Sequence, residues 1–247
     1  MSNAPDAPPL YRTVPLAADA DAAMEAVRAA AAGADPATLF WADRSDRAQC
    51  AVTLSPDGAL RSAAQMLHVG MTALGDALGA VLPPLVIVSF RLPTTILLND
   101  AVLGGLRICV PAGCGPEDVP EWLVLAIDIG VSRFAEGSDA AIDLSLTTFE
   151  DEGCMGITTG EVSGAFARYL LTWIDRWQKD GFEPVRTGWT AHARVADREI
   201  ALQVGGSDVS GRFLGLSDAG DILLQTAEGK QAIAAVDLLE AMDGAPA

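Results

Sequence analysis

Residues 87–110, IVSFRLPTTILLNDAVLGGLRICV, constrain the fold of this chain more than any other segment. Apolar stretches on either side of a Pro-Thr-Thr turn and of an Asn99-Asp100 turn predict three short strands. Two strands separated by a tight turn form a hairpin. The segment therefore predicts part of an antiparallel sheet in the middle of the chain.

The length and composition predict a globular protein. At 247 residues, of which 50% are hydrophobic and 20% charged, the chain is long enough for one large domain, or for one domain and a small appendage, with a sizeable core. Its longest apolar run, residues 77–90, is interrupted by Pro83-Pro84 and is too short for a membrane helix. The first residues lack the basic and apolar regions of a secretion signal. We expect a soluble, cytoplasmic protein.

Charge and cysteine usage disfavour two classes of partner. The formal charge is −17 with only 16 scattered Lys and Arg, whereas nucleic-acid binding needs clustered cations. The four cysteines form no C-x-x-C pair and there are only two histidines, so the sequence predicts free thiols and no metal site.

The N-terminal half alternates helices and strands. Residues 1–9 are expected to be a mobile tail, and Asp19 or Asp21 is expected to cap an alanine-rich helix ending near Ala32. Strand patterns at residues 38–42 and 49–54 flank a polar linker, and a helical period covers residues 60–82 up to Pro83.

The second half begins with a strand. The apolar run at residues 122–131 predicts a central strand covered on both faces, with Asp128 as its one buried carboxylate. Thr147-Thr148 is expected to begin a short acidic helix. A longer helix at residues 161–179 carries an aromatic stripe at helical spacing, which indicates core packing.

After about Ala193 the pattern changes to short strands separated by glycines. Residues 200–204, 209–216 and 222–226, followed by Gly229, predict a small β unit that curls on itself to bury its apolar residues.

Two of these patterns resemble the biotin and lipoate protein ligase family. Its signature is a Trp-Pro-Asn-Asp turn followed seven residues later by Lys-x-x-Gly-Ile; here residues 92–95 are Leu-Pro-Thr-Thr and residues 102–106 are Val-Leu-Gly-Gly-Leu, without a gap. The C-terminal features of the family's SH3-type barrel also recur, with Trp189 ahead of the barrel, Gly211 to Gly215 in a strand and Leu223-Leu224 in the next. The likeness spans residues 10–240 and is greatest to a degenerate ligase-like branch with a C-terminal region of unknown function.

The resemblance implies a chemistry that this chain is poorly equipped to perform. The family activates a carboxylic acid with ATP and passes the acyl group to a carrier lysine, using a hairpin lysine and a Gly-Arg-Gly-Arg-Arg-Gly loop. Val102 occupies the lysine position, and the loop position holds Asp43-Arg44-Ser45-Asp46-Arg47 without glycine. Losing one such electrostatic donor slows turnover about a hundred- to a thousand-fold.

The resemblance also implies where a ligand would bind. The ligand-binding candidates are Trp41, Asp43, Arg44, Arg47, Arg91, Thr94, Thr95, Gly104, Gly105, Leu106 and Asp128. Alternatives remain open: Arg44 and Arg47 in a solvated loop, Gly104-Gly105 as a bulge or tight contact, and Asp128 in a structural hydrogen bond. No catalytic residue is assigned.

The predicted fold class is α+β. A ligase-like domain at residues 10–192, with a mixed β-sheet packed by helices, precedes a small SH3-like β-barrel at residues 193–243. The function predicted is that of a ligase-like pseudoenzyme binding a small carboxylic acid or a carrier domain, without conventional ligase activity. One alternative is an active biotin- or lipoate-type ligase of altered specificity, and ATP and biotin or lipoate are expected as cofactors only in that case. The second alternative is a structural module. A homodimer is an open possibility.

Overall fold

The computed structural model describes residues 3–133, 146–193 and 199–243. Within these ranges the chain forms eleven strands and six helices. In order they are β1 (Arg12–Leu16), α1 (Ala22–Ala31), β2 (Thr38–Ala42), β3 (Arg47–Leu54), α2 (Leu60–Ala63), α3 (Met66–Val81), β4 (Val88–Arg91), β5 (Thr95–Leu98), β6 (Ala101–Cys109), β7 (Leu123–Gly130), α4 (Thr159–Asp180), α5 (Glu183–Ala193), β8 (Glu199–Val204), β9 (Ser207–Leu216), β10 (Ile222–Thr226), β11 (Gly229–Ile233) and α6 (Ala235–Asp243).

Strands β1 to β7 form one mixed sheet in the order β1-β2-β3-β7-β6-β5-β4. The β1–β2 pair is parallel and the other pairs are antiparallel. β7 is the middle strand, as its apolar run predicts, and β4–β5–β6 is the three-strand unit predicted from residues 87–110. The predicted α+β class is confirmed.

The two faces of this sheet are covered differently. Helices α3 and α4 pack over one face and form the large core, which contains Leu125 and Ile127 of β7. Helix α1 lies on part of the other face, where small side chains such as Ala26 allow close packing against Phe40 and Ala126. Because α1 is only ten residues long, none of the helices in the described ranges covers one end of this face.

Helix α1 begins where the sequence predicts. The side chain of Asp21 accepts hydrogen bonds from the backbone N–H of Ala23 at 2.8 Å and of Met24 at 3.1 Å. This N-cap satisfies two donors that have no partner inside the helix.

The predicted helix at residues 60–82 is divided into α2 and α3. Backbone bonds of the i to i−3 type at Gln65, Leu67 and His68 tighten the chain between the two helices. The second helix ends at Val81, just before Pro83, as predicted.

The predicted acidic helix at Thr147-Thr148 is wrong. The segment forms turns, in which the Thr148 hydroxyl donates to the Asp151 carboxylate at 2.7 Å and accepts from the Asp151 backbone N–H at 3.2 Å. Such local side-chain bonds compete with helix formation, and Gly153 adopts a φ of 77° that ends the turn.

The aromatic stripe of α4 packs inward, as predicted. Phe166, Leu170 and Trp173 are buried in the large core, while Ile174 and Trp177 are half-buried at its margin. A capping box between Thr158 and Glu161 begins this helix.

The N-terminal segment lies along α4. A Cβ on Gly160 would stand 2.4 Å from the carbonyl oxygen of Asn3, and Arg168 donates to the carbonyl of Asp6 at 2.6 Å. The expected mobility of residues 1–9 remains a prediction, since contacts do not measure motion.

Strands β8 to β11 form a small antiparallel sheet in the order β11-β10-β9-β8, followed by α6. The predicted strands are confirmed, while α6 was not predicted. His68 of α3 donates from Nε2 to the carbonyl of Gly220 at 2.7 Å, and Trp189 of α5 packs on Phe213 of β9. These contacts join the small sheet to the helices of the large core.

The four cysteines form no disulfide; Cys50, Cys109 and Cys154 are buried and Cys114 is half-buried. In the described part of the chain, none of the helices is both long and apolar enough to cross a bilayer.

Candidate functional site

One end of the sheet face that carries α1 is lined by half-buried side chains from four strands. The register pairs Gln49 with Asp128, Asp128 with Gly105, and Gly105 with Thr95. Paired residues point to the same face, and residues two apart on one strand do the same. We call this surface the open sheet face; its residues are Arg47, Gln49, Thr95, Leu97, Val102, Gly105 and Asp128.

The loop between β2 and β3 contains an ion pair with little solvent access. Arg44 donates to both carboxylate oxygens of Asp46, at 2.7 and 2.6 Å, and the two side chains are 22% and 13% exposed. Hydrogen bonding to Asp46 raises the pKa of Arg44. Burial acts to raise the pKa of Asp46, but the hydrogen bonds and charge of Arg44 outweigh it and leave that pKa below its usual value. Both groups are therefore charged and occupied with each other.

A second ion pair lies on the open sheet face itself. Arg47 donates from Nε to Asp128 at 2.5 Å, and Gln49 donates from Nε2 to the other oxygen of Asp128 at 2.9 Å. The side-chain oxygen Oε1 of Gln49 accepts a hydrogen bond from Arg44 at 3.4 Å. Gln49 thus joins the two ion pairs into one network, which we call the Arg-Asp network.

The buried carboxylate of this region is not the one predicted. Asp128 is 42% exposed, because its position on β7 points to the open sheet face rather than into the large core. Asp46, in the linker for which a solvated loop was one of the open alternatives, is the buried one. A run of charged residues in sequence does not reveal that its members bond to each other and to the end of a distant strand.

A third ion pair was not predicted from the sequence. Arg107 follows Gly105 by two residues on β6 and pairs with Asp21, the N-cap of α1, at 3.3 Å. Together with Gln49 and Asp128, this pair lines a small cavity of about 40 Å³. The sequence signal for the direction of the Arg107 side chain is the strand period, which places Arg107 and Gly105 on the same face of the sheet.

Gly104 and Gly105 bring three strands close together. Ile96 pairs with Gly104 and Leu97 with Val102, so one extra residue bulges from β6. Gly104 has a φ of 153°, and a Cβ there would stand 1.9 Å from the carbonyl oxygen of Asp128. A Cβ on Gly105 would stand 2.5 Å from the carbonyl of Thr94. Packing of the backbone accounts for both glycines, and their role toward a ligand remains a prediction.

Four of the candidate residues lie elsewhere. Trp41 pairs with Cys50 and packs on the large core, and Leu106 is 2% exposed in the same core. Their side chains lie on the opposite side of the sheet. Asp43 is exposed and accepts from Asn3 at 3.3 Å, while the backbone of Thr94 accepts from Leu106 at 3.0 Å.

Arg91 is the cation at the edge of this region. It pairs with Thr95 and shares its face, but it belongs to the outermost strand of the sheet and is exposed. Among the described residues, no carboxylate forms an ion pair with Arg91.

Comparison with known proteins decides the family. The model of the biotin/lipoate A/B protein ligase family matches residues 7–191, and that of the biotin protein ligase C-terminal domain matches residues 196–237. This chain belongs to the biotin/lipoate A/B protein ligase family. The family predicted from the resemblance is confirmed.

Individual proteins similar to this ligase-family chain include two ligases and one ligase-like protein. A biotin–[acetyl-CoA-carboxylase] ligase of Paracoccus denitrificans is 27% identical over 190 residues, which are 76% of this chain and 77% of that protein. A biotin protein ligase-like protein of unknown function from Silicibacter sp. TM1040 is 27% identical, with a TM-score of 0.82 over 94% of this chain and 98% of the other. Biotin protein ligase from Aquifex aeolicus in complex with biotin and ATP shares the fold at 16% identity, with a TM-score of 0.70 over 92% of this chain and 97% of that one. The apo form of the same protein gives a TM-score of 0.71.

Three arginines on or beside this family member's open sheet face are neutralised locally. Arg44, Arg47 and Arg107 each pair with an aspartate. Val102, at the position that the hairpin signature assigns to lysine, is half-buried beside Leu97 on the same face. In the described ranges there is no group of three or more His, Cys, Asp or Glu that could hold a metal ion. An incoming anion would therefore find apolar surface and paired charges, with the exposed Arg91 on the outermost strand.

Proposed function

We propose that this protein is a member of the ligase family that has lost or diverged from ATP-dependent acyl adenylation, and that its open sheet face binds a small acyl ligand or a carrier domain. The observation that carries this proposal is the pairing of Arg44, Arg47 and Arg107 with aspartates around a valine at the lysine position.

Adenylation brings a carboxylate against a polyphosphate, so it requires fixed positive charge at the reacting oxygens. Two like charges about 4 Å apart repel by about 4 kcal/mol near a protein surface. The chain has a net charge of −17, which adds to this repulsion rather than relieving it. A substrate carboxylate would need cations that the aspartates already hold.

Releasing those cations is costly. Removing Arg44 from Asp46 would leave a carboxylate that is 13% exposed without its partner. Breaking a buried ion pair in this way costs on the order of 3 kcal/mol or more. The Arg47–Asp128 pair is more accessible, since Asp128 is 42% exposed, and it is the easier of the two to open.

Pyrophosphate release tests the proposal. Purified protein is incubated with ATP and biotin, lipoate or octanoate, with an active biotin protein ligase as positive control. We expect no release above that of the acid-free reaction, together with measurable binding of an acyl compound or a carrier domain by calorimetry. Release that depends on one of the acids contradicts the proposal.

A second candidate function is an active ligase of altered specificity. It is favoured by the relative named as a ligase in Paracoccus denitrificans, and by Arg91, which is exposed at the edge of the same face. In this case Arg44, Arg47 or Arg91 supplies the missing charge. A broad panel of carboxylic acids would then contain one that supports pyrophosphate release, and Arg91→Gln would reduce that release.

A further inference from the structure

A second cavity lies at the opposite end of the sheet from the Arg-Asp network. Its floor is the pair Leu54 and Leu123, where β3 ends and β7 begins. Seven residue steps along β3 separate Leu54 from Arg47, which is about 23 Å at 3.3 Å per residue. Leu123 belongs to the large core, so the cavity also lies on the other face of the sheet.

The walls of this distal cavity are mostly apolar. The last turns of α4 contribute Ile174 and Trp177, and the start of α3 contributes Met66. Trp177 is fixed, since its indole N–H donates to the side-chain oxygen of Gln65 at 2.7 Å. The volume is about 320 Å³, within the range of about 300–1,000 Å³ of small-molecule sites, which are likewise mainly apolar with a few polar groups.

The charge at the mouth of the cavity has one sign. Asp57 is the single charged residue among those that line it, in the loop between β3 and α2. Asp57 is exposed, and in the described part of the chain no Lys, Arg or His forms an ion pair with it. A carboxylic acid would be repelled there. A cation would be attracted by Asp57.

We propose that the distal cavity binds a small apolar cation, an ammonium group on an aliphatic or aromatic body. Taking about 30 Å³ per non-hydrogen atom, the volume of a water molecule in the liquid, the cavity holds a body of about ten such atoms. The apolar body lies against Leu54, Ile174 and Met66, and the ammonium group faces Asp57. This site is independent of the open sheet face, and its occupancy does not depend on whether adenylation is retained.

Two probes of equal carbon count test the charge preference. Calorimetry with 4-phenylbutylamine and with 4-phenylbutyrate is expected to show binding of the amine at least tenfold tighter than that of the acid. The indole ¹⁵N–H resonance of Trp177, assigned with Trp177→Phe, is expected to shift with the amine. Equal affinity for the two probes, or an unmoved Trp177 resonance, overturns the proposal.

Variants separate the site from non-specific attraction to an acidic protein. Asp57→Asn is expected to weaken amine binding three- to tenfold, while Asp19→Asn, which removes the same charge from another exposed position, leaves it unchanged. Ser62→Leu places bulk in the cavity wall at an exposed helix position and is expected to abolish binding while the melting temperature stays the same. Equal effects of the two aspartate variants, or full binding by folded Ser62→Leu, contradict the assignment.

Discussion

Single side chains decide the electrostatics of the open sheet face. Gln49 connects the Arg44–Asp46 pair to the Arg47–Asp128 pair, so the two arginines are held by one network rather than by isolated contacts. Charged side chains held in this way contribute to structure, and we propose that this pairing weakens their attraction for a ligand. Val102, which is uncharged and half-buried, lies on the same face, at the position where the resemblance implies a lysine.

Restoring that cation is expected to restore attraction for acids. We predict that Val102→Lys binds biotin or lipoate roughly 10- to 100-fold more tightly than the wild type, because a hydrogen bond to a charged group contributes about 1.5–3 kcal/mol. Val102→Met, a neutral side chain of similar length, is expected to bind like the wild type. Isothermal titration measures both, and equal gains in the two variants would show that the added charge is not responsible.

The buried pair in the β2–β3 loop makes a prediction about stability. We expect Asp46→Asn to lower the free energy of unfolding by about 3 kcal/mol, since it leaves Arg44 without its counter-charge, whereas Asp43→Asn, exposed in the same loop, changes it by less than about 0.5 kcal/mol. Because the pKa of Asp46 is lowered in the fold, its contribution is present above the ordinary aspartate pKa and is lost as the pH falls further. Urea denaturation of both variants at neutral pH measures the difference, and similar midpoints would refute the structural role of the pair.

Contacts between strands determine which glycines can be replaced. A Cβ on Gly104 would stand 1.9 Å from the carbonyl oxygen of Asp128, and the φ of 153° strains any other residue. We predict that Gly104→Ala lowers the free energy of unfolding by several kcal/mol. Gly79→Ala is expected to raise it by about 0.5–1 kcal/mol, because Gly79 lies in α3 with open space around it. Thermal unfolding compares the two, and a neutral Gly104→Ala would mean that β6 can move away from β7.

The contact between α3 and the small C-terminal sheet depends on a neutral histidine. His68 is fully buried, and burial lowers its pKa from 6.5 to about 4, with the hydrogen bond to Gly220 opposing this only in part. Between these pH values the unfolded chain binds a proton that the folded chain excludes, so stability falls as the pH falls from 6.5 toward 4. The full difference amounts to about 3 kcal/mol.

Replacing the two histidines in turn tests this dependence. His68→Gln is expected to flatten the change of unfolding free energy between pH 6.5 and 4, while His192→Gln, which removes a half-buried histidine beside Asp76, is expected to retain it. Denaturant titrations at several pH values measure the slopes. An unchanged slope in His68→Gln would place the pH dependence on other groups.

In the whole molecule, the order of elements follows from local patterns, whereas the site does not. The turns at residues 92–95 and 99–100, the stripe of α4 and the glycine-spaced strands of the C-terminal unit are each encoded within short windows. The Arg47–Asp128 pair joins residues 81 positions apart, and strand register, not sequence spacing, brings them together. At Thr147-Thr148 the local pattern predicted a helix, but hydrogen bonds between Thr148 and Asp151 stabilise turns there instead.

The central proposal concerns the molecule's chemistry: we propose that this ligase-family fold, in which Arg44, Arg47 and Arg107 are paired with aspartates, does not form an acyl-adenylate. Mass spectrometry of the purified protein after incubation with ATP and biotin, lipoate or octanoate tests this most directly. We predict that no acyl-AMP is detected, bound or released, under conditions in which an active biotin protein ligase forms it. Detection of acyl-AMP that requires both ATP and the acid would contradict the claim.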